Sequence, residues 1–120
     1  MITLHKADLS SEFPTRERCH ITELLNAGAT PGISVARCRV APGVTTELHS
    51  LTGTAEIYVM TEGRGEMDLG GGDWRGVGPM DCVEISAGAP QRIRNTGSGD
   101  LVFLALCRPR FVPESYEPLE

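Results

Sequence analysis

The chain has 120 residues, 40% of them hydrophobic, and a net charge of −5 at pH 7; that length makes one domain able to bury roughly two-thirds of its unfolded surface. Its basic residues are scattered and its aromatics are limited to one Trp, two Tyr and three Phe, which excludes nucleic acid as the main partner. No apolar run approaches the ~20 residues needed to cross a bilayer, so no membrane association is expected.

In chain order, residues 1–32 read as an N-terminal arm. Within it, residues 16–26 are ambiguous. Ile21, Leu24 and Leu25 would share one helical face with Asn26-Ala27-Gly28 as the stop, but residues 19–24 also read as an edge strand, and the strand is preferred. Fourteen glycines and eight prolines then cut the chain into short runs that predict strands over residues 33–40, 55–61, 65–69, 82–85, 91–95 and 101–107. The dividers are turn material, such as Ala41-Pro42-Gly43, Gly70-Gly71-Gly72-Asp73 and Ser86-Ala87-Gly88-Ala89-Pro90. Many short strands at this spacing predict a single all-β sandwich or barrel domain over residues 1–120. Its core spans about 33–107, and a tail over 108–120 packs across the barrel or a neighbouring subunit.

Cys19, Cys38, Cys82 and Cys107 are widely separated, with no Cys-x-x-Cys pair and no charged-then-apolar leader ahead of them. Free thiols in a reducing, cytoplasmic setting are the expectation. Two strands carry apolar residues on both faces. Ala55, Ile57 and Val59 stand opposite Glu56, Tyr58 and Met60, and residues 101–107 contain no polar side chain. Such strands are covered on both sides. A second sheet covers one side; the other is covered by the chain's own arm or tail, or by a second copy in a homodimer, which is the reading preferred here.

Gly43, His49, Glu56 and Gly63 stand at intervals of six, seven and seven residues. The form Gly43-x5-His49-x-Leu51-x4-Glu56-x6-Gly63 resembles the first motif of the cupin superfamily, Gly-x5-His-x-His-x3–4-Glu-x6-Gly. Downstream, Asp81 and Ile85-Ser86-Ala87-Gly88 lead to Gln91-x3-Asn95, similar to the second cupin motif with Met80, Ser86 and Gln91 in place of its Gly, Pro and His. The resemblance implies a double-stranded β-helix, or jelly-roll, barrel. It also implies a divalent transition metal such as Zn, Ni, Mn or Fe. With Leu51 and Gln91 where two histidines are expected, His49, Glu56 and Gln91 remain as a thin metal-ligand set, so such a metal is weakly held or absent.

Strand alternation gives the same site a geometric basis. His49 and Leu51 point one way on one strand, Glu56 faces them after the turn at Thr52-Gly53-Thr54, and Gln91, Ile93 and Asn95 share a face further on. An imidazole and a carboxylate are usable metal donors, and an amide oxygen is a weak third. Without a metal, His49 and Glu56 become an acid–base pair whose proton affinities shift through burial and mutual attraction. Tyr58 shares the inward face with Glu56 and either orients a ligand or fills space. Asn95 reads as a turn-closing residue, His20 as an extra ligand only if its strand lines the cavity, and His5 as exposed. Arg37, Arg39, Arg92 and Arg94 alternate away from the cavity.

Two function classes follow. The first is an enzyme acting on a small polar organic molecule by acid–base or weakly metal-assisted chemistry, of isomerase, epimerase, dehydratase or lyase type, with His49, Glu56 and Tyr58 as catalytic candidates. The second is a non-catalytic metabolite-binding cupin. A metal-dependent dioxygenase is a third reading, disfavoured because it needs a firmly held metal with open positions.

Overall fold

A computed structural model describes residues 1–120, in which eleven strands and two 3-10 turns follow one another with no α-helix. The strands are β1 (Phe13–Pro14), β2 (His20–Leu25), β3 (Ser34–Val40), β4 (His49–Leu51), β5 (Ala55–Glu62) and β6 (Gly65–Asp68). They continue with β7 (Trp74–Val77), β8 (Cys82–Ile85), β9 (Ile93–Asn95), β10 (Leu101–Arg108) and β11 (Tyr116–Pro118). A six-stranded sheet in the order β1-β2-β3-β10-β5-β8 forms one layer. The pairs β11-β4 and the triplet β7-β6-β9 form the other, stitched together by bridges at Thr45–Arg94 and His49–Gln91. All pairings are antiparallel. This is the double-stranded β-helix barrel expected from the sequence.

Alternation decides which side chains meet between the layers. Across the large sheet, Ile21 lies opposite Cys38, Cys38 opposite Phe103, and Phe103 opposite Met60, one row of inward residues. Met60, Val40, Leu101 and Phe103 meet Met67 and Ile93 of the small sheet and fill one end of the barrel. Burial of such side chains contributes about 1.5–3 kcal/mol each. At the other end the inward residues are smaller or polar, namely Ala36, Ala105, Glu56 and His49, and the barrel stays hollow.

The turns follow from backbone demands at two positions. Gly53 has φ +70° in the β4–β5 turn, a conformation that L side chains adopt at a cost. Gly63 has φ +80°, and a Cβ there would collide with the Asp100 carbonyl oxygen, so the last glycine of the motif is required where β5 leaves for β6.

The barrel takes in more of the chain than the expected core of residues 33–107. The ambiguous stretch 16–26 is strand, and β2 runs beside β3 with β1 as the outermost strand. A helix there would have left the β3 edge unpaired. The tail is a strand too, since β11 pairs with β4. The expected strand over residues 91–95 is shorter than predicted. Ile93 onward pairs with β6, whereas Gln91 exchanges both backbone hydrogen bonds with His49, at 2.8 and 3.2 Å. The chain changes partner between these positions, which ends the regular strand.

Part of the large sheet's outer face is covered by the arm. Glu12 pairs with Arg39 at 2.6 Å and with Arg37 at 3.4 Å, which places both arginines outside the barrel as alternation required. Arg92 and Arg94 are outside as well, flanking the Trp74 ring while bound to Asp68 and Glu66. Cys19, Cys38 and Cys107 are buried and Cys82 exposed, all as free thiols. No helix is long and apolar enough to cross a membrane.

Candidate active site

The hollow end of the barrel is a chamber of about 390 Å³. Its walls include His49, Leu51, Glu56, Tyr58, Ala105 and Cys107 from the barrel strands, Glu17 and Cys19 from the β1–β2 turn, and Phe111, Tyr116 and Pro118 from the tail. His49 and Glu56 both face inward, as the motif spacing predicted. They do not touch.

His49 is paired with Glu17 instead. The imidazole is nearly fully buried and both its nitrogens meet oxygen. Nδ1 lies 2.7 Å from the Glu47 carbonyl and Nε2 lies 3.3 Å from Glu17 Oε2. A carbonyl oxygen only accepts, so Nδ1 carries a proton. The Nε2–Oε2 contact is one of ion-pair distance, attractive when the ring is protonated. The expected His49–Glu56 acid–base pair is thus corrected to a His49–Glu17 pair. The reason is tertiary: the β1–β2 turn folds over the barrel mouth and delivers a carboxylate first.

That turn is held from several directions. The Glu47 amide donates to the Glu17 carbonyl at 3.0 Å, Arg18 donates to the Thr45 carbonyl at 2.9 Å, and Arg16 donates to the Glu47 carboxylate at 3.1 and 3.3 Å. Tyr116 completes the setting. Its ring stacks on His49 with centroids 4.7 Å apart, and its hydroxyl donates to Glu47 Oε1 at 2.6 Å. That hydroxyl and the Arg16 guanidinium hold the Glu47 carboxyl below its usual range. Glu47 therefore positions His49 through its carbonyl and Tyr116 through its carboxylate. Motif reasoning missed Glu17 and Tyr116 because neither lies in a motif; the only signal was a charged turn and a tail aromatic.

Glu56 occupies a different chemical setting. It is 8% exposed; Cys107 Sγ lies 3.4 Å from Oε2, and Oε1 is buried with no hydrogen-bond partner. Burial pushes its carboxyl up to about 7; the nearby Gln91 amide and the Cys107 thiol oppose this only in part, and the Glu17 charge adds to it. The Cys107 thiol is itself pushed up, by burial and then by the Glu56 charge. Such a carboxyl exchanges a proton near neutral pH, where a general acid or base is most effective.

The remaining candidates have structural partners. Tyr58 donates to Gln91 Oε1 at 2.5 Å, its ring lies 4.3 Å from that of Phe103, and burial raises its hydroxyl well above the ordinary tyrosine range. Asn95 donates to the Val40 and Gly99 carbonyls and accepts from the Gly97 amide, closing its turn. His20 lies on the outer face beside Arg39 and does not line the chamber.

A divalent metal is a poor fit for these donors. No three His, Cys, Asp or Glu side chains gather closely enough to hold an ion. Gln91 Oε1 already accepts from Tyr58, and both His49 nitrogens already meet oxygen. Leu51, where the full motif has a second imidazole, presents hydrocarbon.

A two-layered β-helix barrel, open at one end onto a chamber with ionisable walls, defines a double-stranded β-helix domain. The chain belongs to the cupin family: residues 36–107 match the family model Cupin_2, the cupin domain. It is 32% identical over 115 residues to Uncharacterized protein MJ1618 of Methanocaldococcus jannaschii, covering 94% of this chain and 91% of that protein. Among solved structures it is similar to a predicted oxalate decarboxylase from Thermotoga maritima, with 26% identity, TM-score 0.73, and coverage of 87% of this chain and 98% of that one. It also resembles Pac13, a nucleoside dehydratase solved from Streptomyces, with TM-score 0.78, 14% identity, and coverage of 98% and 92%. At that identity the likeness to Pac13 is one of fold.

Proposed function

We propose that the chamber is the active site of an acid–base enzyme acting on a small organic molecule, by dehydration or a related proton-transfer reaction such as isomerisation. The observation that carries this is the presence of two separate ionisable sets in one cavity of about 390 Å³: the His49–Glu17 pair and the Glu56 carboxyl, whose pKa burial moves to about 7. Dehydration needs both. A base takes the proton from a carbon next to a carbonyl, and an acid gives a proton to the hydroxyl on the neighbouring carbon. That hydroxyl leaves as water, and the electron pair of the broken C–H bond becomes the new double bond. Two groups with different environments suit these opposite roles. The dehydratase activity of Pac13, on the same fold, supports the class of reaction and not the substrate.

The test is a panel of 3-hydroxy carbonyl compounds, followed by the ultraviolet absorbance of the conjugated product. Turnover is expected with the native protein. Loss in both His49→Gln and Glu56→Gln supports the reading; equal turnover in either variant removes it.

We also propose that the protein is a homodimer. Leu106 lies opposite both Val35 and Ile57, and Leu104 opposite Val59, so these five side chains form one apolar patch on the large sheet's outer face. The N-terminal arm, anchored at Glu12, secures the neighbouring arginines; Ile57 stays 37% exposed. A second copy covers such a patch symmetrically. Light scattering at micromolar concentration is expected to give twice the chain mass, and the monomer mass would dismiss the idea.

A further inference from the structure

The charges lining the chamber are unbalanced in one direction. Glu17, Glu23 and Glu56 line it, and the basic side chains there are Arg16 and His49. Arg16 is bound by Glu47 and His49 by Glu17, so neither is free to receive an anion. Glu56 Oε1 is buried with no hydrogen-bond partner, although the Gln91 amide lies near the same carboxyl. A buried acceptor without a partner is rare and costly, and a ligand that brings a donor relieves the cost. Desolvation also raises the Glu23 carboxyl at the mouth, so burial disfavours the charged form of two of the three acids, and a cation beside them would offset it.

The rest of the wall is largely apolar and aromatic, with Phe13, Phe103, Phe111 and Tyr116 around the same space. Ring faces attract cations and repel anions. Both features select the same ligand. We propose that the chamber selects small molecules carrying a protonated amine on a compact apolar or aromatic body, the ammonium meeting the Glu56 carboxyl among Glu17 and Glu23, and rejects carboxylates and phosphates. An anion would enter a chamber lined by three acidic side chains and no uncommitted cation, and would push their proton affinities up further. The inference deepens the proposed function by naming the substrate class of its site, but it is read by binding and does not depend on turnover.

Calorimetric titration with three probes of one shape tests it: 2-phenylethylamine, 2-phenylethanol and phenylacetate. The amine is expected to bind about tenfold or more tightly than the alcohol, as a charge-assisted hydrogen bond does over a neutral one, with phenylacetate weakest. Glu56→Gln keeps the shape of the side chain and is expected to erase most of the amine's advantage while leaving the alcohol unchanged. Glu23→Gln, at the exposed mouth, should reduce the advantage by a smaller factor and serves as a second variant that leaves the barrel interior untouched. Phenylacetate or phenyl phosphate binding as tightly as the amine would overturn the proposal, and so would an amine preference indifferent to both substitutions. Amine selectivity without any turnover would leave this inference standing and remove the dehydratase reading. Turnover of an anionic substrate would do the reverse.

Discussion

Nε2 of His49 and Oε2 of Glu17 lie 3.3 Å apart although the residues are 32 positions apart in the chain, so the β1–β2 turn sets a carboxylate beside the buried ring. Under the proposed mechanism Glu17 is the carboxylate that steadies a protonated His49 ring. In Glu17→Gln the amide nitrogen can donate to a neutral His49 ring, so the geometry survives and the proton does not. Turnover is expected to fall about 10²- to 10⁴-fold, the usual worth of a positioned acid or base. Nitrogen NMR of the ring should show Nε2 losing its proton in the variant. Unchanged turnover, or a ring that keeps its proton, would detach Glu17 from the chemistry.

Glu56 sets a second, thermodynamic prediction. Its carboxyl titrates near 7 in the fold and about 4.3 in the unfolded chain. The folded state therefore binds the proton more tightly. The stabilising effect of that proton is complete below about pH 4.3 and is lost as pH rises towards 7, above which the ionised form is buried at a cost of about 4 kcal/mol. Replacement by Gln removes this dependence. Urea denaturation should show Glu56→Gln gaining on the native protein between pH 5 and 8, with a level difference above that, the intervals following from the same pair of values. A constant difference across the whole range would mean that Glu56 is not a desolvated carboxyl.

Tyr58 tests the scaffold beneath the site. Its hydroxyl donates to Gln91 Oε1, and both residues are almost wholly buried. Tyr58→Phe leaves that oxygen without its donor and should cost about 1–3 kcal/mol of unfolding free energy. Were Tyr58 instead a substrate-facing proton donor, the variant would lose turnover at full stability. A paired measurement of urea midpoint and activity separates the two.

The thiols report on burial independently. Cys82 is exposed whereas Cys19, Cys38 and Cys107 are not, and burial raises the Cys107 thiol further. A thiol reagent at neutral pH should modify Cys82 quickly in the native protein and reach the other three only on unfolding. Rapid modification of more than one thiol would mean that the barrel opens far more readily than its packing suggests.

Much of this architecture was open to sequence reading because it is local. Turn residues such as Gly53 and Gly63 mark where strands end, and alternation alone sends His49, Leu51, Glu56, Tyr58 and Ile93 inward while sending Arg37, Arg39, Arg92 and Arg94 out. The motif spacing likewise located the hollow, since a period of two residues settles the face of every side chain on a strand. The ambiguity over residues 16–26 was of another kind. Apolar residues at Ile21, Leu24 and Leu25 suit either a helix or a strand, and only the open edge of β3 chose between them.

What sequence alone determined, then, is the barrel and the inward direction of one imidazole and one carboxyl. Which groups stand beside them was decided by tertiary structure. The β1–β2 turn brings Glu17 to His49, and β11 lays Tyr116 on the same ring. Both are long-range pairings that no periodicity encodes, and hydrogen-bond partners depend on distances of a few tenths of an ångström between segments far apart in the chain. Burial, likewise a property of the whole fold, is what moves Glu56 from an ordinary acid to one that titrates near neutrality.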